Sequence, residues 1–484
     1  MKSSLKKNLQ ILITGVLAVI GCIGLLLVSS LIPQSRIKEN AEKSAMYFIS
    51  KDLFEMLVKK QEAVKRDNYA DVVSFGIAYQ LGNTSTRKNA AIRILEARYT
   101  QDTDSFENAD EGFKRAVCED APGNLTYSRY WHGGAAVIRL LLMFTEVSGM
   151  RVLFFVIGTA LNLAWIVFLV IRKEYMLAVP YLFGVIAGKI LFGYTCFEYA
   201  FVCLFVTVFS FVIYLIMSRN EKKPEHFFAP EAVFLAAGIL TCFFDFLTAE
   251  TATFTIPAFV SLYLLEKARN KPVVIRKEGE KGNTDSPWLF LFRTGLFWLA
   301  GYAFMFLLKW GLCAAFLGPE EARIALSSVA ERTVGAVHET GNLASETVGP
   351  LARLAVLFER NFACLYGIPN DTSENTVRLI LFGTPAVLYI AWFFLRDREV
   401  LNHKAGNHKA GNHKKDNHKK GKKENSFFPA YLVLALVPIA RFLILSNHAY
   451  VHYFFTYRAL MIVVMVIAYL FCKTTVLHSL LKSR

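Results

Sequence analysis

The sequence predicts an all-α polytopic membrane protein of about ten transmembrane helices, with interfacial helices in two outer loops. Three observations predict it. Apolar residues make up 54% of the chain, with 41 Phe and 20 Tyr, and mean hydropathy is +0.37. Runs of apolar residues long enough to cross a bilayer as a helix, roughly twenty residues, recur along the sequence. Basic residues collect in alternate connections between those runs, the pattern that orients helices across a membrane.

The runs fall at about 11–32, 151–171, 176–193, 197–217, 229–247, 251–265, 287–307, 377–395, 428–445 and 455–472. The first follows Lys2, Lys6 and Lys7 and closes on Ser-Ser-Leu-Ile-Pro without a small-residue cleavage site, so it reads as a retained helix. Residues 1–32 then hold a cytoplasmic N-terminus and the first helix, and 33–150 a first outer loop with a helical subdomain and an interfacial helix. Helices two to seven occupy 151–308, a second outer loop 309–376, and the eighth helix 377–395. A cytoplasmic His/Lys-rich linker covers 396–426, and the last two helices with a basic C-terminus fill 427–484.

Charge orients this arrangement. Lys2 to Lys7, Arg172-Lys173, Arg219 to Lys223, Lys267 to Lys281, Arg396 to Lys423 and Lys473 to Arg484 fall in connections of one parity, which the positive-inside rule places in the cytoplasm. Both termini are expected there, in the cell membrane. The net charge of +15 would suggest nucleic acid in a soluble protein. Here much of it sits in the pentapeptides NHKAG, NHKAG, NHKKD and NHKKG from Asn402, a linker suited to anionic lipid. No nucleic-acid partner is implied, and the cytoplasmic face is expected to carry tail-like charge. The eight cysteines show no metal-type spacing. Cys118 and Cys364, the two in loops, leave a disulfide open.

Within the first outer loop, 41–65 carries a helical apolar stripe, and Asp67 and Asp71 frame the start of a small apolar stretch, 70–81. Asp102 to Glu111 reads as a solvated acidic surface, and 139–145 as a helix lying in the interface. In the second, 322–357 alternates apolar and charged residues as surface amphipathic helices do.

Five polar-aromatic motifs are expected on the outer side. They are Tyr127-Ser-Arg129-Tyr-Trp131-His132-Gly, the turn Gly193 to Tyr199 with Glu198, and Phe243-Phe-Asp245-Phe-Leu-Thr248 with Glu250 close by. The remaining two are Lys309-Trp310 and the segment Ser446 to Arg458, with Asn447, His448, Tyr450 and His452. Taken singly, each has an ordinary explanation: aromatic belts, snorkelling of Lys309 and Arg139, a helix cap at Asp245, or a metal pair at His448 and His452. Together they place eight ionisable groups on one surface, which favours a shared outward-facing site.

An inward N-terminus, a sizeable outer loop after the first span and outward acidic and basic residues resemble the GT-C superfamily, polytopic glycosyltransferases that use polyprenyl-phosphate sugars. YSRYWHG, FFDFLT and NHAYVHYFFTYR also resemble motifs of multi-span proteins of Gram-positive bacteria, a likeness that carries no activity. The GT-C resemblance implies transfer from a polyprenyl-linked sugar to an envelope glycan or lipid acceptor. It also implies an acidic residue or pair soon after the first span as base or metal ligand. No adjacent acidic pair stands there; Glu39, Glu42, Asp67 and Asp71 are nearest. Asp71, then Asp245, is the expected base. Arg129, Lys309 and Arg458 would face the phosphate, Trp131 and Tyr450 would stack on sugar, and His132, Glu198, Asn447, His448 and His452 would complete the pocket. A divalent cation is admitted but not required. The alternative is a transporter or flippase of a charged lipid or solute, with Lys189 as its mid-span group. A non-catalytic envelope scaffold is the third.

Overall fold

The computed structural model describes residues 2–81, 89–101, 108–223, 227–269, 286–334, 350–369, 371–373, 376–377 and 427–474. The expected eighth helix beyond residue 377, the repeat linker and the last ten residues lie outside the described residues, as does the acidic stretch 102–107.

The protein is an all-α membrane protein. Among the described residues, five helices are long and apolar enough to cross a membrane: α1 (Lys2–Ser30), α7 (Val147–Ile171), α10 (Phe197–Lys222), α13 (Pro287–Phe316) and the C-terminal segment Tyr453–Lys473, most of it α19 (Met461–Thr474). Shorter apolar helices fill the bundle: α8 (Tyr175–Ala187), α11 (Pro230–Phe244) and α16 (Phe428–Ile444). Among them runs α12 (Ala252–Arg269), buried along most of its length. The expected span 176–193 is broken. It stops at Gly188, and Lys189 takes a left-handed backbone (φ 46°) before the short α9 (Ile190–Gly193).

Close packing depends on glycine where α11 meets α13. A methyl group on Gly238 would lie 2.0 Å from the Trp298 carbonyl oxygen, and one on Gly301 would lie 2.5 Å from that of Leu235. Small residues let the two backbones touch, as in membrane helix pairs generally.

The first loop folds as α2 (Lys38–Ile49), α3 (Asn68–Gln80), α4 (Ala90–Leu95), α5 (Ala109–Cys118) and α6 (Gly133–Leu141). The helix expected over 41–65 ends at Ile49, because 54–67 forms a hairpin instead: β1 (Phe54–Met56) pairs with β2 (Lys65–Asp67), and Glu55 faces Arg66 at 2.5 Å. The second loop supplies α14 (Pro319–Val334) and α15 (Pro350–Tyr366), as its amphipathic pattern predicts. A short helix, α17 (Ser446–Val451), links α16 to the last span, which opens with the short α18 (Tyr453–Thr456). Cys118 and Cys364 are both free thiols, the first exposed and the second buried in α15.

Two ends of the bundle can be told apart by contacts alone. At one, Lys7 and Arg293 converge on Glu231 at 2.6 and 3.2 Å. There Glu174 accepts from Tyr263 and Lys267 at 2.6 and 2.5 Å, and Glu266 accepts from Tyr431, Tyr469 and Lys473. This is the end expected to carry only tail-like charge, so that expectation is corrected: buried carboxylates framed by tyrosines pin these helix termini. The five polar-aromatic motifs gather at the other end.

Candidate functional site

The loop between α11 and α12 is the hub of the second end. Helix α11 stops at Asp245, whose carboxylate turns back to accept the Thr248 amide at 3.1 Å and the Thr248 hydroxyl. This local cap forces Leu247 into the left-handed region (φ 67°), where a branched side chain is strained. The strain aims successive residues at different neighbours. Phe246 packs on His132 (5.2 Å between ring centroids) and on Tyr130 (5.4 Å). The Leu247 carbonyl accepts from Arg441 and lies 2.9 Å from His448 Nε2. Glu250 pairs with the Arg441 guanidinium at 2.7 Å. Phe243 packs on Trp131, whose indole N–H donates to the Met305 carbonyl at 2.7 Å.

The turn 193–199 joins from the side. Glu198, on the first turn of α10, feels the charges of Asp67, Asp71, Asp245 and Arg458. It is 8% exposed, and its Oε2 has no hydrogen-bond partner among the described residues. Arg458 is buried, stacked against Tyr199 (4.4 Å) and Tyr457 (4.9 Å). Its terminal nitrogens donate to the Phe454 and Ala63 carbonyls at 3.2 and 3.4 Å, Nε is unpartnered, and it makes no ion pair among the described residues. An unpaired acid and an unpaired guanidinium buried together are costly, and such groups cluster where a ligand completes them.

The other expected site residues divide by what they touch. Asp71 is fully engaged: one oxygen accepts from Arg151 at 2.6 Å, the other from the Phe197 amide at 2.8 Å. Arg151 also donates to Asn68 at 2.7 Å. This ties the first loop to α7 and α10. Lys309 does not snorkel; it is buried, donates to the Leu95 carbonyl at 2.6 Å and lies 5.3 Å over the Trp131 ring. Arg139 is likewise buried and donates to the carbonyls of Ser29, Ile32, Ala78 and Tyr79, closing the ends of α1 and α3. Trp131, 1% exposed, presents no open face for a sugar.

The segment 446–458 docks on the second loop. Asn447 accepts from Arg353 and donates to the Glu331 carbonyl at 2.9 Å, while Ser446 donates to the Thr333 carbonyl at 2.9 Å. Tyr450 is flanked by Arg353 and Arg360, each 4.9 Å from its ring. The ring centroids of His448 and His452 lie 4.6 Å apart. Among the described residues no group of three His, Cys, Asp or Glu is arranged to hold a metal ion. Burial holds the His452 imidazole down to about 3, with Arg332 and Arg441 adding to it, and drives His448 well below its usual value. Burial also lowers His132 to about 3, with Lys309 reinforcing. Asp67, the cap of α3, is pushed up to about 7 by burial, against the Ala70 amide and with Asp71 adding to the rise.

Sequence reasoning missed Arg151, Arg332 and Arg441. Arg441 carried a signal, a lone cation inside the apolar run 428–445. Arg151 and Arg332 carried none, since each stands at a helix end where charge is ordinary. Fold and hub together define an integral membrane protein with a buried, aromatic-framed polar cluster at one end of its helix bundle. Comparison with known proteins adds no relative: no family model, curated protein or solved structure matches the chain.

Proposed function

We propose that the protein is a GT-C-like membrane glycosyltransferase. It moves a sugar from a polyprenyl-phosphate donor to a cell-envelope glycan or lipid acceptor on the extracytoplasmic face. The observation that supports this reading is Glu198, buried with an unpartnered Oε2 and within reach of the charges of Asp245 and Arg458, whose own guanidinium makes no ion pair among the described residues. In the reaction, an acceptor hydroxyl attacks the anomeric carbon and gives its proton to a carboxylate. The bond from that carbon to the donor phosphate breaks, the phosphate keeps the electron pair, and a guanidinium offsets the charge it gains.

Asp245 is the better base. Its oxygens accept only from the backbone and hydroxyl of its own turn, whereas Asp71 is held by Arg151 and the Phe197 amide. Glu198 stands second, and Asp71 becomes an anchor that ties the first loop to α7 and α10. The transporter alternative draws less support. Lys189 donates to the carbonyls of Ala187, Cys364 and Leu365 at 3.1, 2.6 and 2.8 Å, which uses all the protons of its ammonium group.

The test follows polyprenyl-linked sugars and envelope glycans in cells carrying Asp245→Asn, Glu198→Gln or Arg458→Ala. The expected result is accumulation of the lipid-linked sugar and loss of one glycan. Unchanged glycans in all three strains would sink the reading.

A further inference from the structure

Main chain of the β1–β2 hairpin lies directly over Arg458. The helical turn Glu62–Val64, between the strands, sets the Ala63 carbonyl against the Tyr457 hydroxyl at 2.8 Å and an Arg458 terminal nitrogen at 3.4 Å. The next carbonyl along, that of Lys65, accepts from the Tyr199 hydroxyl at 3.2 Å. The Lys65 ammonium lies 4.9 Å from the Phe454 ring, at the head of the last span. Under this cover Arg458 is 2% exposed and Tyr457 fully buried. The cover is braced within itself: Arg66 pairs with Glu55 at 2.5 Å and Lys65 with Glu62 at 3.0 Å. One end is fixed, since Asn68, the first residue of α3, donates to the Leu53 and Asp52 carbonyls at 2.8 and 2.6 Å.

The far end is tied only by surface contacts. Lys60 pairs with Asp371 at 2.6 Å, both side chains about half exposed, and Gln61 donates to the Gly367 carbonyl at 3.2 Å. Exposed ion pairs of this kind contribute little. Within 54–67 the buried apolar residues are Ala63 and Val64, while Phe54, Met56 and Val58 stand exposed. A two-stranded hairpin is marginal by itself, and segments with few buried apolar contacts open first. We propose that the hairpin 54–67 is a lid, hinged at Asn68 and closed in this structure, whose opening uncovers Arg458 and Tyr457 from the side of the two loops. Closed, the Ala63 carbonyl occupies donors of both residues and keeps water and solutes out. Open, it hands those donors to whatever enters. The internal ion pairs let the hairpin swing as one piece, the manner in which lids commonly gate buried sites.

The lid's purpose rests on the reading of Arg458 as part of the reaction site, but its motion is tested without turnover. Full-length protein in nanodiscs carries one cysteine in a background without others: Ala63→Cys on the underside of the hairpin, or Tyr457→Cys on the floor it covers. Labelling by a water-soluble maleimide is followed by mass spectrometry. Releasing the far end with Lys60→Ala/Gln61→Ala is expected to speed both reporters about fivefold, the size of a lost exposed tie. Joining Lys60→Cys to Asp371→Cys with a short bismaleimide before labelling is expected to slow both about tenfold. Protein whose single thiol is the native Cys242, buried in α11 away from the hairpin, should respond to neither change. Reporter rates indifferent to release and to cross-linking overturn the lid, and so does equal acceleration at Cys242, which would mean general loosening. Gated labelling with unchanged glycans in the Asp245→Asn, Glu198→Gln and Arg458→Ala strains overturns the transferase alone. Ungated labelling with altered glycans overturns the lid alone.

Discussion

Asp71 accepts hydrogen bonds from Arg151 and the Phe197 amide, while Asp245 accepts only from Thr248 within its own turn. Removing the first therefore strands a buried guanidinium. Asp71→Asn is expected to cost about 3–5 kcal/mol of stability, read by thermal unfolding in detergent, and Asp71→Asn/Arg151→Met recovers part of the loss. Asp245→Asn leaves no stranded cation and should melt near the parent while losing transfer. The buried histidines set a pH dependence. His132 and His452 are held down to about 3, so each contributes stability that is full above its unfolded value near 6.5 and lost as pH falls toward about 3. Asp67, raised to about 7, has the opposite sign: its contribution is full below about 4 and lost as pH rises through 7. The three histidines therefore lower the melting temperature between pH 6.5 and 4.5, against the opposite contribution of Asp67 and of Asp245, which burial also raises to about 7. His132→Asn, which tolerates the left-handed backbone at that position (φ 57°), should make that fall shallower. An unchanged slope would remove His132 from the account. Little at this scale was legible beforehand. Residue types and their gathering at one end could be read, but which acid is paired depends on contacts such as Arg151 to Asp71, 80 positions apart.

At the scale of elements, cations close helix ends. Lys189 caps α15 from α9, and Arg139 caps α1 and α3 from α6. Lys189→Met should loosen α15, leaving carbonyls unsatisfied at about 1–3 kcal/mol. Limited proteolysis should then cut faster around α14 and α15, with the rest of the bundle protected. Equal protection would mean the cap adds nothing. The sequence marked where α3 lies without its helical form: Asp67, its side-chain cap, stands ahead of the small apolar stretch. It could not foresee the break at Lys189 or the hairpin over 54–67. The break depends on carbonyls from a helix 175 residues away, and the hairpin on pairing that competes locally with helix.

For the whole molecule, helix ends among the described residues sort into two sets by contact, and charge counting predicts which set faces the cytoplasm. Single cysteines at Glu39 and Asn124, in a background without reactive cysteines, are expected to react with a membrane-impermeant maleimide in intact cells. Single cysteines at Lys6 and Lys222 are expected to react only after permeabilisation. Labelling of Lys222→Cys from outside would reverse the orientation on which the extracytoplasmic site depends. The sequence by itself determined the solvent: apolar runs of membrane length and alternating basic loops are one-dimensional properties, so the membrane-protein class and the gathering of five motifs were readable. Only the tertiary structure decided how those motifs share work. It made Asp71, Arg139, Lys189 and Lys309 fasteners, and it left Glu198 and Arg458 buried without an ion pair among the described residues. The physical reason is that a buried charge takes its role from the partner it meets, and these partners come from distant parts of the chain.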